Sequence, residues 1–327
     1  MFIKQENSLQ NLKWPCSFVI CVCTYNRNEL LADLLKSFSL LDLPLQCKLS
    51  VIVVDNFQED SAKEVVSSAK NSYSYNVNYL HEPIKGIYRA RNRALQAGLA
   101  LEADYLAFTD DDCVVTSQWL GVLHRAMIIS GKKWACGPVH AVKDAVNVAM
   151  AASRTSNNVE PKTHLTNSAA TCNVIISSDI IQKLGLSFDE DFDLTGGGDR
   201  HFFACLTQHG YKGAEVSEIL VYEHFRCDRF YFKARYRRFA AGMCNQLIST
   251  RKLKGKTYSY ASAVTNIFLN IFLSLLFFLS SVLFMFWRSP VPGNYGQKIY
   301  LKLSKFVGRS GGGIMYLRGK KDYFYAG

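Results

Sequence analysis

Between Ser17 and Thr109 short apolar runs alternate with amphipathic stretches, and this alternation limits the fold more than any single residue does. Ser17 to Cys23 is followed by a helical pattern from Glu29 to Leu41, Leu49 to Asp55 by Ser61 to Lys70, and Val77 to Leu80 by Ile87 to Leu101; Tyr105-Leu106-Ala107 then opens a further run. Such alternation predicts βαβ units and an α/β fold, a mainly parallel sheet flanked by helices. In open sheets of this kind ligands bind outside the carboxyl ends of the strands. Thr24, Asp55 and the cluster Asp110-Asp111-Asp112 all fall at predicted strand ends, so a single crevice is expected to gather them.

The acidic cluster points to a hard cation. Asp offers anionic oxygen on a short stem, so two such residues can hold Mg²⁺ or Mn²⁺ and leave coordination positions open for substrate phosphates. A nucleotide diphosphate is the ligand this chemistry anticipates. The competing interpretation is an acidic turn, since Asp is common after strands.

Length and charge narrow the classes further. A chain of 327 residues accommodates one large α/β domain plus an appendage, and 49% apolar content argues against disorder. The formal net charge of +11 fits an anionic partner: nucleotide, nucleic acid or anionic lipid. The ten cysteines are scattered without paired metal-ligand spacing, and Cys21 and Cys23 alternate with Ile20 and Val22 inside an apolar strand. Reduced thiols in a cytosol-facing domain are expected. The opening, Met1 to Pro15, is too polar for a signal peptide.

Beyond Trp134 the pattern is less regular. A long polar connection is expected around Ser153 to Asn167, a short strand at Cys172 to Ile176, and helices near Asp179 and Asp199. Basic residues from Arg235 to Lys256 then approach Val264 to Trp287, a stretch without a charged residue that is long enough to cross a bilayer. Lys298, Lys302, Lys305, Arg309, Arg318, Lys320 and Lys321 place positive charge beyond it as well, so the positive-inside rule gives no orientation. A single span and a re-entrant hairpin around Ser280-Ser281 both fit. Arg309-Ser310-Gly311-Gly312-Gly313 lacks the Gly-Lys-Ser/Thr ending of a phosphate loop and is expected to be a turn.

In Leu194-Thr195-Gly196-Gly197-Gly198-Asp199-Arg200-His201, an Asp follows three glycines where a helical pattern starts; by itself it reads as a helix cap. Together with the strand-end cluster, this segment resembles glycosyltransferase family 2, in which a Thr-Gly-Gly-Glu-Asp segment precedes a helix. Cys23-Thr24-Tyr25-Asn26-Arg27 is similar to that family's opening nucleotide-binding turn, Val53-Val54-Asp55-Asn56 to its second strand, and Gly86 with Ala90-Arg91-Asn92 to a segment that carries an Arg near the nucleotide. Asp110 and Asp112 match its DXD pair, Thr171-Cys172-Asn173-Val174 its acceptor-side strand, and Phe188-Asp189 the lead into the loop that carries its base. The chain departs from the pattern at Gly198, where Glu is common, and at Phe57-Gln58, where small residues are usual.

The resemblance implies a GT-A fold over residues 1–245, with a nucleotide-sugar half at about 15–115 and an acceptor half at about 116–245. A basic linker (246–263), a membrane segment (264–287) and a basic amphipathic tail (288–327) follow. It implies an inverting sugar transferase that uses Mn²⁺ or Mg²⁺ at the cytosolic membrane surface, with a nucleotide-diphosphate sugar as donor and a lipid-linked or growing glycan as acceptor. Asp199 falls on the family's catalytic base. Thr24, Tyr25, Asn26, Arg27, Asp55, Arg91, Asp110 and Asp111 fall on its nucleotide-sugar residues, Asp112 and His224 on its metal site, and Asn173, Gly197 and Gly198 on its acceptor side. Arg235 and Arg238 fall on its basic segment before the membrane, suited to the diphosphate or to anionic headgroups. Nucleic-acid binding is disfavoured because the basic residues crowd around the apolar segment. A nucleotidyltransferase and a non-catalytic sugar-nucleotide binder are the alternative functions.

Overall fold

A computed structural model describes residues 16–43, 46–155, 161–193, 196–225, 231–286 and 295–319. Met1 to Pro15, Leu194-Thr195, Trp287-Arg288 and Lys320-Lys321 lie outside the described residues. The chain divides into two compact units, Met1–Glu190 with Phe202–Phe225, and Asp191–His201 with Arg226–Gly327.

The first unit follows the predicted alternation. β1 (Ser17–Thr24), α1 (Asn28–Phe38), β2 (Lys48–Asp55), α2 (Lys63–Ser72), β3 (Asn76–His81), α3 (Ile87–Ala100) and β4 (Tyr105–Asp110) come first. α1 shows why: Leu31, Leu34, Leu35 and Phe38 recur at one-turn spacing and are all buried, while Glu29 and Lys36 match the positive and negative ends of the helix dipole. β1 carries Phe18, Ile20 and Val22 into the same core. Each such side chain contributes about 1.5–3 kcal/mol on full burial.

β5 (Cys113–Val115), α4 (Trp119–Ser130), β6 (Trp134–Cys136), β7 (Val139–Val142), α5 (Ala145–Thr155), β8 (Thr163–Thr166), β9 (Val174–Ser177), α6 (Ser178–Leu184), α7 (Gly198–Gln208), β10 (Gly213–Val216) and β11 (Val221–His224) follow. One sheet runs β3-β2-β1-β4-β9-β6-β10-β8, and a smaller one β5-β11-β7. The four strands from β3 to β4 are mutually parallel; β9 runs antiparallel to both β4 and β6. Part of the long polar connection is in fact an edge strand. β8 pairs antiparallel with β10, and its exposed residues Thr163, His164 and Leu165, with the half-buried Thr166, carry no apolar run to betray it.

The second unit holds the long helices α8 (Phe232–Lys254), α9 (Lys256–Phe286) and α10 (Tyr295–Leu317). The glycine run expected to form a turn lies inside α10, because these glycines are a contact surface. A Cβ on Gly308 would come within 2.8 Å of Phe239 Cβ on α8, one on Gly311 would strike the Tyr236 side chain, and one on Gly312 the Ala240 backbone. Gly313 faces α9, where a Cβ would lie 2.6 Å from Ile267 Cγ1. Among the described residues α9 is the helix long and apolar enough to cross a membrane; its Lys256–Leu276 segment has a mean hydropathy of 1.5. It leaves Phe268, Leu269, Phe272, Leu275 and Leu279 exposed.

Replacing Gly312 by Ala tests this packing by its sign. In an open helix the change stabilises by about 1 kcal/mol. Here the added methyl has no room against Ala240, so a net loss of about 1–3 kcal/mol is expected in thermal melting. A raised melting temperature would mean that α8 and α10 do not approach so closely.

Candidate functional site

Sheet register brings the predicted strand ends level. β1 lies between β2 and β4, with Thr24 opposite Asp55 and Cys23 opposite Asp110. Chain order reverses at this point, which makes it the sheet's topological switch. Asp110, Asp111 and Asp112 leave β4 there and are held by three donors. Thr24 Oγ1 donates to Asp111 Oδ2 at 2.8 Å, and Arg27 Nη1 donates to Asp111 Oδ1 at 2.8 Å and to Asp112 Oδ2 at 3.3 Å. Arg91 Nη2 reaches Asp110 Oδ1 at 3.1 Å from α3. Gly98 lets that helix lie close on the sheet, since a Cβ there would sit 2.7 Å from Leu106 Cδ2.

Among the described residues this cluster gathers three carboxylates and two guanidinium groups. Asp111 and Asp112 are 3% and 4% exposed, and burial raises the pKa of both against the opposing pull of Arg27. Asp112 is pushed up to about 6, by burial first and then by Asp110, Asp111 and Glu223.

Asp55 is fully buried and its carboxylate is taken up by its own surroundings. It accepts from Phe57 N, Ser61 Oγ, Ala62 N and Tyr79 Oη, and so fixes the turn into α2. Sequence reasoning overlooked Asn56, whose amide donates to the carbonyls of Glu82 and Ile84 and accepts from Gly86 N, tying the loop after β2 to the loop before α3. It also overlooked an aromatic corner. Tyr25, 40% exposed, meets Phe57 edge to face at 5.2 Å, and Lys85 Nζ lies 5.2 Å from the Tyr25 ring. Asn26 adopts a left-handed φ of 52°, which Asn tolerates better than most residues. Phe57 stood out in the sequence as a departure; only the fold pairs it with Tyr25.

His224 ends β11, and its backbone N–H donates to the carbonyl of Asp112 at 2.9 Å. Its Nε2 is buried, makes no hydrogen bond among the described residues and lies 3.8 Å from Asp33 Oδ2. An imidazole on a residue whose backbone is bonded to that of Asp112 is of a ligand type that suits a divalent cation. Among the described residues no three His, Cys, Asp or Glu side chains converge closely enough to hold an ion alone.

The remaining predicted residues have other surroundings. Asn173 is 1% exposed; its Oδ1 accepts from Trp119 Nε1 and its Nδ2 donates to the Pro138 carbonyl, so its amide serves as a strut. In the second unit, Gly196 and Gly197 hold left-handed φ values of 74° and 80°, and a Cβ on Gly197 would lie 3.0 Å from Asn245 Cβ. Gly198 opens α7, and Asp199 sits in its first turn with Oδ1 accepting from Arg200 N at 2.8 Å.

Residues 19–182 match the family model described as Glycosyl transferase family 2. The chain belongs to that family. It is 32% identical over 207 residues to the succinoglycan biosynthesis protein ExoM of Rhizobium meliloti strain 1021, covering 62% of this chain and 65% of that protein. To the glycosyltransferase AglE of Haloferax volcanii it is 26% identical over 203 residues, covering 62% and 64%. The matches thus span just under two thirds of either relative's length. Among solved structures, the mannosyltransferase PcManGT from Pyrobaculum calidifontis, in complex with GDP-Man and Mn²⁺, aligns over 98% of this chain and 95% of its own, with a TM-score of 0.59 and 17% identity. GalNAc-T7 with UDP, GalNAc and Mn²⁺ aligns over 72% and 47%, with a TM-score of 0.55 and 14% identity. At such identities the likeness shows the fold, that of GT-A glycosyltransferases.

The acid cluster makes a prediction with a definite sign. Because Asp112 has a higher pKa in the fold than the ordinary 3.8, the folded family member binds a proton that the unfolded chain releases, and stability falls as pH rises from 3.8 to about 6. In chelator, the wild type should therefore gain melting temperature relative to Asp112→Asn on going from about pH 7 to about pH 5. A constant difference between the two would show that Asp112 carries no such burden.

Proposed function

We propose that this chain transfers a sugar from a nucleotide-diphosphate sugar to a hydroxyl of a lipid-linked or growing glycan, in the biosynthesis of a cell-surface polysaccharide. The observation that carries the reading is the set of Thr24, Arg27 and Arg91 donors arrayed around three carboxylates at the switch point of the sheet. Membership of the family supports sugar transfer, and the likeness to ExoM, a succinoglycan biosynthesis protein, supports a polysaccharide product. The uncovered apolar length of α9 supports work at a membrane; a cytosolic side for the first unit is part of the proposal.

In this mechanism Asp112 and His224 would hold a divalent cation, Mn²⁺ or Mg²⁺, when the donor's diphosphate is bound. When bound, the ion offsets charge on the departing nucleoside diphosphate. Tyr25, Asn26 and the Asp55 turn shape the nucleoside end of the pocket, with Asp110 toward the ribose. The acceptor oxygen attacks the anomeric carbon, the bond from that carbon to the diphosphate oxygen breaks, and the acceptor proton passes to the Asp199 carboxylate. Attack opposite the leaving group inverts the anomeric centre. A positioned base is worth ~10² to 10⁴ in rate.

A panel of UDP-, GDP- and dTDP-sugars, assayed for Mn²⁺-dependent thermal stabilisation, tests the donor assignment: one of them should raise the melting point of the wild type and not of Asp112→Asn. Asp199→Asn should keep that shift and lose transfer and donor hydrolysis by ~10² or more. Binding without turnover in the wild type would make the chain a tethered binder, the alternative that Gly198 keeps in view. If no nucleotide sugar shifts the melting point, the donor assignment falls.

A further inference from the structure

The second unit contains a cavity of about 450 Å³ between α8 and α10 that the transfer chemistry does not use. Arg200, Arg235, Arg238, Lys305 and Arg309 line it, and among the described residues no Asp or Glu does. Arg235 is fixed at its wall: Nε donates to Ser304 Oγ at 2.9 Å, Nη2 to the Leu301 carbonyl at 3.3 Å, and the guanidinium lies 5.3 Å from the Phe239 ring. Arg238, Lys305 and Arg309 make no ion pair among the described residues. Five cations gathered around one space repel one another unless an anion joins them, and four of the five are Arg, whose forked donors match phosphate oxygens.

The same unit indicates what carries that anion. α9 presents Phe268, Leu269, Phe272, Leu275 and Leu279 to the outside, a surface with no polar group to recommend it to water. A unit that joins an uncovered apolar helix to a cavity lined by cations suits an amphiphile with an anionic head. We infer that the Arg200–Arg309 cavity binds the phosphate or diphosphate headgroup of a lipid. Taking that lipid to be the acceptor rests on the transferase reading above; the binding itself does not.

The experiment uses the full chain in non-ionic detergent and three probes: farnesyl diphosphate, inorganic pyrophosphate and farnesol. Arg235 is left intact because it is bonded to α10; the pocket variant is R238Q/K305Q/R309Q, and a control, K233Q/R251Q/K254Q, removes as much charge from the same unit outside the cavity. Each pocket charge is expected to contribute roughly fivefold to affinity, so the pocket variant should bind farnesyl diphosphate ~10²-fold more weakly, while the control stays close to the wild type. Pyrophosphate binding as tightly as farnesyl diphosphate, and lost in the pocket variant, keeps the phosphate site and assigns it a soluble ligand. Equal losses in pocket variant and control, no loss in either, or farnesol binding as well as its diphosphate would overturn the inference. Nucleotide-sugar stabilisation, measured on the same samples, reports separately on the donor reading. Should that shift be absent while the pocket variant alone loses farnesyl diphosphate, the transferase proposal fails and the lipid site stands.

Discussion

The site in the first unit depends on Arg27 bridging Asp111 and Asp112. Three consecutive carboxylates at the end of a strand repel one another, and two of them are buried, where repulsion is least screened. A single guanidinium nitrogen at 2.8 and 3.3 Å from two of them, with a Thr24 hydroxyl behind, lets the cluster stay folded in one place. Both donors come from the last residue of β1 and the turn that follows it, so the central strand positions the cluster and neutralises part of it. The parallel register of β1 with β2 and β4 is what sets Thr24 opposite Asp55 and Asp110 opposite the preceding residue, Cys23. A one-residue slip would turn these side chains to the opposite face.

Much of this was legible in the sequence because it is local. The apolar alternation through β4 gives the strands and helices, and the strand-end positions of Thr24, Asp55 and the Asp triplet give the crevice. Thr24, Arg27, Arg91 and the triplet do come together. What escaped were features without a periodic trace. β5 and β6 are too short to show a period, and β8 is an exposed edge strand with a polar sequence. Gly311-Gly312-Gly313 has the composition of a turn, yet only the partner helix reveals that its missing side chains are the contact. The partners of Asn173 leave no trace in its motif: Trp119 and Pro138, distant in sequence, engage both ends of its amide. Asp55 is similar, a motif residue whose visible work is to organise a turn.

The glycines of α10 and the arginines of α8 belong to one arrangement. Close approach at Gly308, Gly311 and Gly312 brings the backbones of α8 and α10 together, and residues such as Arg238 and Arg309, which flank that seam, cannot then spread apart as free surface charges would. Small residues at a helix contact thereby determine a charge density. This is why the basic character of the chain, a diffuse property of composition, becomes a defined cavity in the fold.

Electrostatics also limits how a donor can enter the first unit. Among the described residues Asp110, Asp111 and Asp112 face the guanidinium groups of Arg27 and Arg91. Burial first, and then the acidic neighbours, raise the pKa of Asp112. A nucleoside diphosphate adds further negative charge to the same place, so with the cluster ionised its binding alone is opposed by the residues that would receive it. On the proposal that a divalent cation is taken up with the donor, His224, whose backbone N–H is bonded to the Asp112 carbonyl, would share in holding it. Coupled uptake follows from this balance: each ligand should bind weakly without the other, and their joint affinity should exceed the sum of the separate free energies.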